Sequence, residues 1–215
     1  MKKTLSTLLI ACSFSATAAP YVGLEYGVGS ASHDATNTFS KEGVHLDPSL
    51  EDGILGGFVG YAFNDNWALE LGYNQFELSD GHSSYLGQKT INGQNYHHEM
   101  DWDASVDAKQ VTLAPVYTFA FNDQWRAKVK AGLTYTQYDA SQSKTEEFEL
   151  VTNDDIEMDN HLAHAAQSQN EIGGMVSVGA EYAVLPQLTV GANVKYQADS
   201  YASMASFNIG TTYYF

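Results

Sequence analysis

The sequence predicts an all-β fold: an eight-stranded antiparallel transmembrane β-barrel with short periplasmic turns and long extracellular loops. Three observations carry this. Apolar and polar residues alternate along eight separate stretches. One turn recurs, Phe63-Asn64-Asp65-Asn66-Trp67 as Phe121-Asn122-Asp123-Gln124-Trp125, with Val184-Leu185-Pro186-Gln187-Leu188 in the equivalent place. The composition has fourteen tyrosines, eighteen glycines and four prolines, which suits strands. A spanning helix needs a run of about eighteen apolar residues, and the sequence has none.

The chain opens with MKKTLSTLLIACSFSATAA. A basic start (Lys2, Lys3), an apolar stretch from Leu5 to Phe14 and the small-x-small site Ala16-Thr17-Ala18 predict a signal peptide over residues 1–18 and a barrel domain over 19–215. Leu9-Ile10-Ala11-Cys12 offers a rival reading, a lipobox with Cys12 lipidated as the mature N-terminus. Cys12 is the single cysteine, so on the first reading no disulfide or thiolate metal site remains. The whole chain carries a formal charge of −16; without residues 1–18 it has eight bases against twenty-six acids, a net −18. That balance argues against nucleic acid as a partner.

Strand follows strand in order: YVGLEYGVG, then ILGGFVGYAF and WALELGY around the first turn, QVTLAPVYTFAF and WRAKVKAGLTY around the second, IGGMVSVGAEYAV and LTVGANVKYQ around the third, and the closing FNIGTTYYF. An even strand number puts both termini on the side of the short turns. The opposite connections, residues 30–52, 79–108 and 139–171, are expected as long loops, and the last, near Ala198 to Ser203, as a short one. Pro115 falls within a central strand, where it would remove a ladder hydrogen bond, so a bulge or register change is expected there.

Parity assigns the faces. Val22, Leu24, Tyr26 and Val28 share one face with Leu55, Val59, Tyr61 and Phe63, and the same alternation continues through all the strands without a charge. The other face holds Glu25, Glu70, Arg126, Lys128, Lys130, Glu181 and Lys195 among small residues. Turning the sheet over would put four bases into lipid, at a cost of roughly 8 to 16 kcal/mol near the bilayer midplane. The charged face is therefore expected in the lumen, filled by side chains as eight strands allow, and plugged against conduction. Tyr61, Phe63, Trp67, Phe119, Phe121 and Trp125 sit at turn-proximal strand ends, where an interfacial aromatic girdle is expected. A soluble barrel would have to take these rings inside.

These residues resemble the OmpA-like and OmpX-like eight-stranded outer-membrane barrels. GGFVGYAFNDNWALELGY and VGAEYAVLPQ carry the resemblance, which covers the strands and not the long outer connections. It implies a lumen ion-pair network, with Glu70 and Glu181 facing Lys128, Lys130 and Arg126, and Lys195 and Glu25 at similar height. Three of the four lumen bases are lysines where related barrels often have arginine. It also implies an insertion signal in the last strand, matched by Phe207, Ile209, Tyr213 and Phe215 and interrupted by Thr211. The partners implied are outer-membrane lipids and lipopolysaccharide and the barrel-assembly machinery, with the barrel a monomer in the Gram-negative cell outer membrane.

Twenty of the twenty-six acids and all seven histidines lie in the four outer connections. Function is expected there. Residues 139–171 hold nine acids and one lysine, Lys144, which reads either as a solvated, mobile loop or as a surface that binds cations or basic partners. His97, His98, Glu99, Asp101 and Asp103 crowd together, and His161 and His164 would share a metal if helical, yet neither cluster forms a defined ligand set. The histidines would equally serve as a pH-sensitive surface. His33, His82, Ser83 and Ser84 are the raw material of a lipid-modifying enzyme, without a recognisable catalytic motif. No cofactor is expected. The reading that follows is a surface-interaction barrel for adhesion or colonisation, with a host surface or matrix ligand, and not an enzyme or open porin.

Overall fold

The computed structural model describes residues 19–35 and 39–215. The expected signal peptide and Cys12 lie outside the described residues. Eight strands, β1 (Ala19–His33), β2 (Ser49–Ala62), β3 (Trp67–Ile91), β4 (Gln94–Ala120), β5 (Trp125–Leu150), β6 (Asn153–Leu185), β7 (Leu188–Ala198) and β8 (Ala202–Tyr214), form a closed ring in sequence order. All neighbours are antiparallel, and β8 closes on β1 from Tyr21↔Tyr214 to His33↔Ala202.

The repeated turn has repeated chemistry. Asn64 Oδ1 accepts from the N–H groups of Asn66 and Trp67, each at 2.9 Å. Asn122 Oδ1 accepts from those of Gln124 and Trp125 at 2.9 and 2.8 Å. Such side-chain mimicry of a backbone turn is why asparagine recurs at this position. Each turn is also locked to the next strand: the carbonyls of Asn66, Gln124 and Gln187 accept from Thr118, Ala183 and Tyr214 N–H at 2.7, 2.8 and 2.8 Å. The diverged Pro186-Gln187 turn thus keeps the interlock without the asparagine.

The apolar parity face points outward: Leu24, Leu55, Leu133, Ile172, Val178 and Ile209 are exposed. Pro115 differs from expectation. The register runs unshifted from Leu69↔Pro115 on one side and from Leu113↔Leu133 to Val116↔Lys130 on the other, so no bulge forms. The missing N–H interrupts the β4–β5 ladder for two residues, and Gly132 fills the gap by close approach. A Cβ there would lie 2.3 Å from the Leu113 carbonyl.

The larger difference lies at the far end. Residues 79–108 and 139–171 are continuations of β3, β4, β5 and β6, which run on as a four-stranded sheet, here called the blade. β2 stops at Ser49↔Ser79 and β7 at Gly174↔Ala198, so the blade stands clear of the ring above those rungs. At about 3.3 Å per residue it extends about 40 Å further. Asn92 (φ 51°) and Gly93 (φ 81°) close its first hairpin, the paired positive φ of a type I′ turn. The reason it is a sheet is an inner apolar face: Trp102, Ala104 and Val106 alternate with acids and packing partners cover them. Phe39, Val44 and Leu46 of the β1–β2 connection bury against Trp102 and Ala104. Nearer the ring, Ile54, Phe76, Leu78, Val106, Ala108, Tyr138 and Met204 form an apolar layer across the barrel mouth. At the tip, Tyr96, Phe148 and Leu150 form a third cluster.

Candidate functional site

The lumen below the apolar mouth is built in layers. Asn74 donates to Gln110 at 3.4 Å and Gln110 to Thr136 at 2.9 Å, a buried amide layer. Beneath it lie three ion pairs. Lys130 Nζ contacts Glu70 Oε2, whose other oxygen accepts from Tyr21 OH at 2.9 Å. Lys128 Nζ lies 2.7 Å from Glu181 Oε1, and Thr212 Oγ1 and Tyr214 OH donate to the same carboxylate at 3.1 and 3.0 Å. Lys195 Nζ is 3.3 Å from Glu25 Oε1, with Asn193 on the other oxygen at 3.4 Å. Glu70, Lys128, Glu181 and Lys195 are all at least 90% buried. Buried charge of this kind persists only when paired and hydrogen-bonded.

Arg126 differs from its expected role. Glu181 is its cross-strand neighbour, but Lys128 makes the ion pair, and Arg126 has no acid partner among the described residues. Its guanidinium lies 5.1 Å from the centre of the Tyr214 ring. Sequence reasoning missed Tyr21, Asn193, Thr212 and Tyr214, the neutral donors that complete each carboxylate. Their lumen parity was the available signal. Two cavities of about 40 and 20 Å³ remain among these side chains, room for a few waters.

The expected girdle residues lie on the outward face at the turn end. Their rings meet in pairs, Tyr61 with Phe63, Trp67 with Tyr117, Phe119 with Phe121 and Trp125 with Tyr182, at centroid distances of 5.0 to 5.7 Å. In the closing strand Phe207, Ile209, Tyr213 and Phe215 are exposed on the same outward face. Phe215 N–H donates to Pro20 O at 3.2 Å, which ties the last residue to the first strand.

The blade's outward face continues the lipid-facing parity into water, and it is acidic. Glu77, Glu99, Asp101, Asp103, Asp107, Asp139, Glu147, Glu149, Glu157 and Asp159 share it by register, with Lys109 near the foot. Glu147 sits among Asp101, Glu157 and Asp159; desolvation, a shared hydrogen bond with Asp101 and these charges lift its carboxyl to about 7. Glu147, Glu157 and Asp159 place one carboxylate oxygen each within 4.8 Å of one another, a spacing that a hard cation can bridge. On the inner face Lys144 pairs with Glu42 at 2.6 Å, joining the β1–β2 connection to the blade.

The histidine clusters are not assembled as ligand sets. Strand alternation separates His97, whose Nδ1 lies 3.4 Å from Tyr85 OH on the outer face, from His98, whose Nε2 lies 2.7 Å from Glu146 on the inner face. Asn160 holds the second Glu146 oxygen, and with His98 it keeps that carboxyl below the ordinary range. His161 and His164 lie on a strand and not a helix. A bulge between them returns both to one face, where His161 meets Thr145 at 3.1 Å. The residues considered for an enzyme are also apart. His33 spends its ring nitrogens on Pro48 O and Ala35 N–H, while His82 packs on Trp102 and Ser83 donates to Glu99 on the opposite face.

A closed ring of eight strands with an apolar exterior, aromatic rings at the turn end and paired charges inside is an outer-membrane barrel. Residues 4–215 match the outer membrane protein beta-barrel domain family, and the chain belongs to it, a Gram-negative outer membrane protein. No curated protein matches the chain. Among solved structures it is similar to Ail, the attachment invasion locus protein of Yersinia pestis (12% identity over 94% of this chain and 100% of that one, TM-score 0.46). Similar folds are Neisserial surface protein A (14%, 91% and 97%, TM-score 0.49) and OprG from Pseudomonas aeruginosa (15%, 93% and 96%, TM-score 0.48).

Proposed function

We propose that the barrel anchors a rigid acidic sheet above the outer leaflet for contact with other surfaces, in adhesion or host colonisation. The supporting observation is the outward face of the blade, ten acids with one lysine at the foot. Packing of the inner face holds those charges in fixed register. A fixed acidic face attracts basic polypeptide patches and divalent cations and repels polyanions. The chain's length, acidity and outer connections also resemble the vibrio accessory colonization factor AcfA, which supports the same reading. On this reading residues 1–18 are a cleaved signal peptide, the barrel acts as a monomer without enzymatic activity, and its lumen is a plug. Phe207, Ile209, Tyr213 and Phe215 serve as the signal read by the barrel-assembly machinery.

The test replaces residues 79–108 and 139–171 with tight turns. The shortened barrel is expected to reach the outer membrane and keep a heat-modifiable gel shift while attachment to host cells or matrix falls. Unchanged attachment would remove the blade from the function.

A further inference from the structure

Above the Gly174↔Ala198 rung, β6 continues without β7 beside it, and the barrel wall steps down. At that step an open cleft of about 360 Å³ lies between the inner face of the blade's foot and the ends of β1 and β8. Its floor is built. Asp199 accepts from the N–H groups of Tyr201 and Ala202 at 2.9 and 2.8 Å through one oxygen and from Tyr138 OH at 2.8 Å through the other. This fixes the β7–β8 turn and holds the Tyr201 ring against Tyr138, 4.6 Å between centroids, leaving Tyr201 half-buried with its ring lining the cleft. From β6 the lining takes Gln167 and Gln169, whose amides make no hydrogen bond among the described residues, and Glu171, which accepts from Ser200. Asp34 closes the near end, and among the described residues no lysine, arginine or histidine lines the space.

This set of groups selects a ligand chemistry. An aromatic face offers apolar contact to one side of a flat, partly apolar ring, and two unengaged amides offer paired donors and acceptors to neighbouring hydroxyls. Asp34 and Glu171 add acceptors, which suit hydroxyl or amide N–H donors and oppose any anion when no base stands near. The volume lies at the small end of ligand sites, about 300 to 1,000 Å³, and matches a short sugar segment. We infer that the cleft binds an uncharged saccharide, a neutral hexose or N-acetylhexosamine unit, with Tyr201 as the stacking platform and Gln167 and Gln169 as the hydroxyl-reading groups. This rests on the surface-interaction reading and names a ligand for it at the foot of the blade, on the side away from the acidic face.

The test is saturation-transfer NMR and titration of the full barrel in phospholipid nanodiscs, since sugar-headed detergents would compete. The probes are neutral and N-acetylated oligosaccharides and a sulfated oligosaccharide of equal length. The neutral probes are expected to bind, the sulfated one at least about tenfold more weakly, and Gln169→Ala to weaken the neutral probes about tenfold with the heat shift retained, as loss of a hydroxyl-reading partner implies. Tyr201→Ala adds the stacking arm; if it misfolds, Gln169→Ala still decides. Absence of neutral binding, equal binding of the sulfated probe, or wild-type affinity in Gln169→Ala would each overturn the inference. Attachment lost on removing the blade but kept in Gln169→Ala would overturn this inference and leave the surface-interaction reading standing. Attachment kept in both would sink both.

Discussion

The lumen and the outward face of the blade are both built on alternate residues of the same strands, and they treat acid in opposite ways. Glu25, Glu70 and Glu181 each meet a lysine and at least one neutral donor. On the blade, ten acids share Lys109. The difference follows from water. Inside, an unpaired charge would keep its full desolvation penalty, so every carboxylate is satisfied by the protein. Outside, solvent and counter-ions do most of this work, and repulsion between neighbours shows where acids crowd, as at Glu147. Each buried lumen charge therefore requires its partner. The blade charges are tolerated by the fold, each meeting solvent.

Breaking the pairing should separate the two regions most sharply. Glu181→Ala leaves Lys128 buried without its partner and should destabilise the barrel by about 3 to 5 kcal/mol, read from urea unfolding in lipid vesicles. Replacing both partners, Glu181→Leu with Lys128→Met, should recover most of that loss. A smaller effect is expected where the ladder is tight: Gly132→Ala forces a Cβ toward the Leu113 carbonyl and should cost about 1 to 3 kcal/mol in the same measurement. On the blade, Glu157→Gln should change global stability by no more than about 0.5 kcal/mol. If Glu157→Gln destabilised as much as Glu181→Ala, the contrast would fail.

The smallest effect is a pH response at the blade. Glu147 has its carboxyl raised from 4.5 to about 7, so the folded sheet holds this proton through a range where the unfolded strand has lost it. Its contribution is fully favourable below about pH 4.5 and is lost as pH rises through 7. Amide exchange of the outer β5–β6 hairpin, corrected for the intrinsic pH dependence, should be slower at pH 5.5 than at pH 8, and Glu147→Gln should reduce that difference. An unchanged difference in the variant would assign it to other groups.

The sequence made the ring legible because lipid enforces strict alternation: one polar residue on the outward face is costly, so parity from Val22 to Phe215 is unbroken except by small or hydroxyl residues such as Thr211. Lysine and glutamate positions followed from the same parity, but partner choice did not. Glu181 pairs with Lys128, two residues along the adjacent strand, and not with Arg126 directly opposite, whose guanidinium lies instead by the Tyr214 ring, so strand register alone does not name the partner. The blade was harder to read. Its acids imitate a solvated loop, while the evidence for a sheet is the alternation of Trp102, Ala104, Val106 and Ala108 and the Asn92-Gly93 turn. Around Trp102 and Ala104 that inner face is covered by Phe39, Val44 and Leu46, a long-range contact that no local pattern announces.

The central claim is that the outer acids are carried by ordered sheet and not by loops. Amide hydrogen exchange by mass spectrometry on the barrel in nanodiscs tests it directly. Residues 94–108 and 139–150, the two central strands of the blade, should exchange at least about a hundredfold more slowly than an unstructured chain, as hydrogen-bonded strands do. Exchange of those segments at the rate of a free loop would contradict the account.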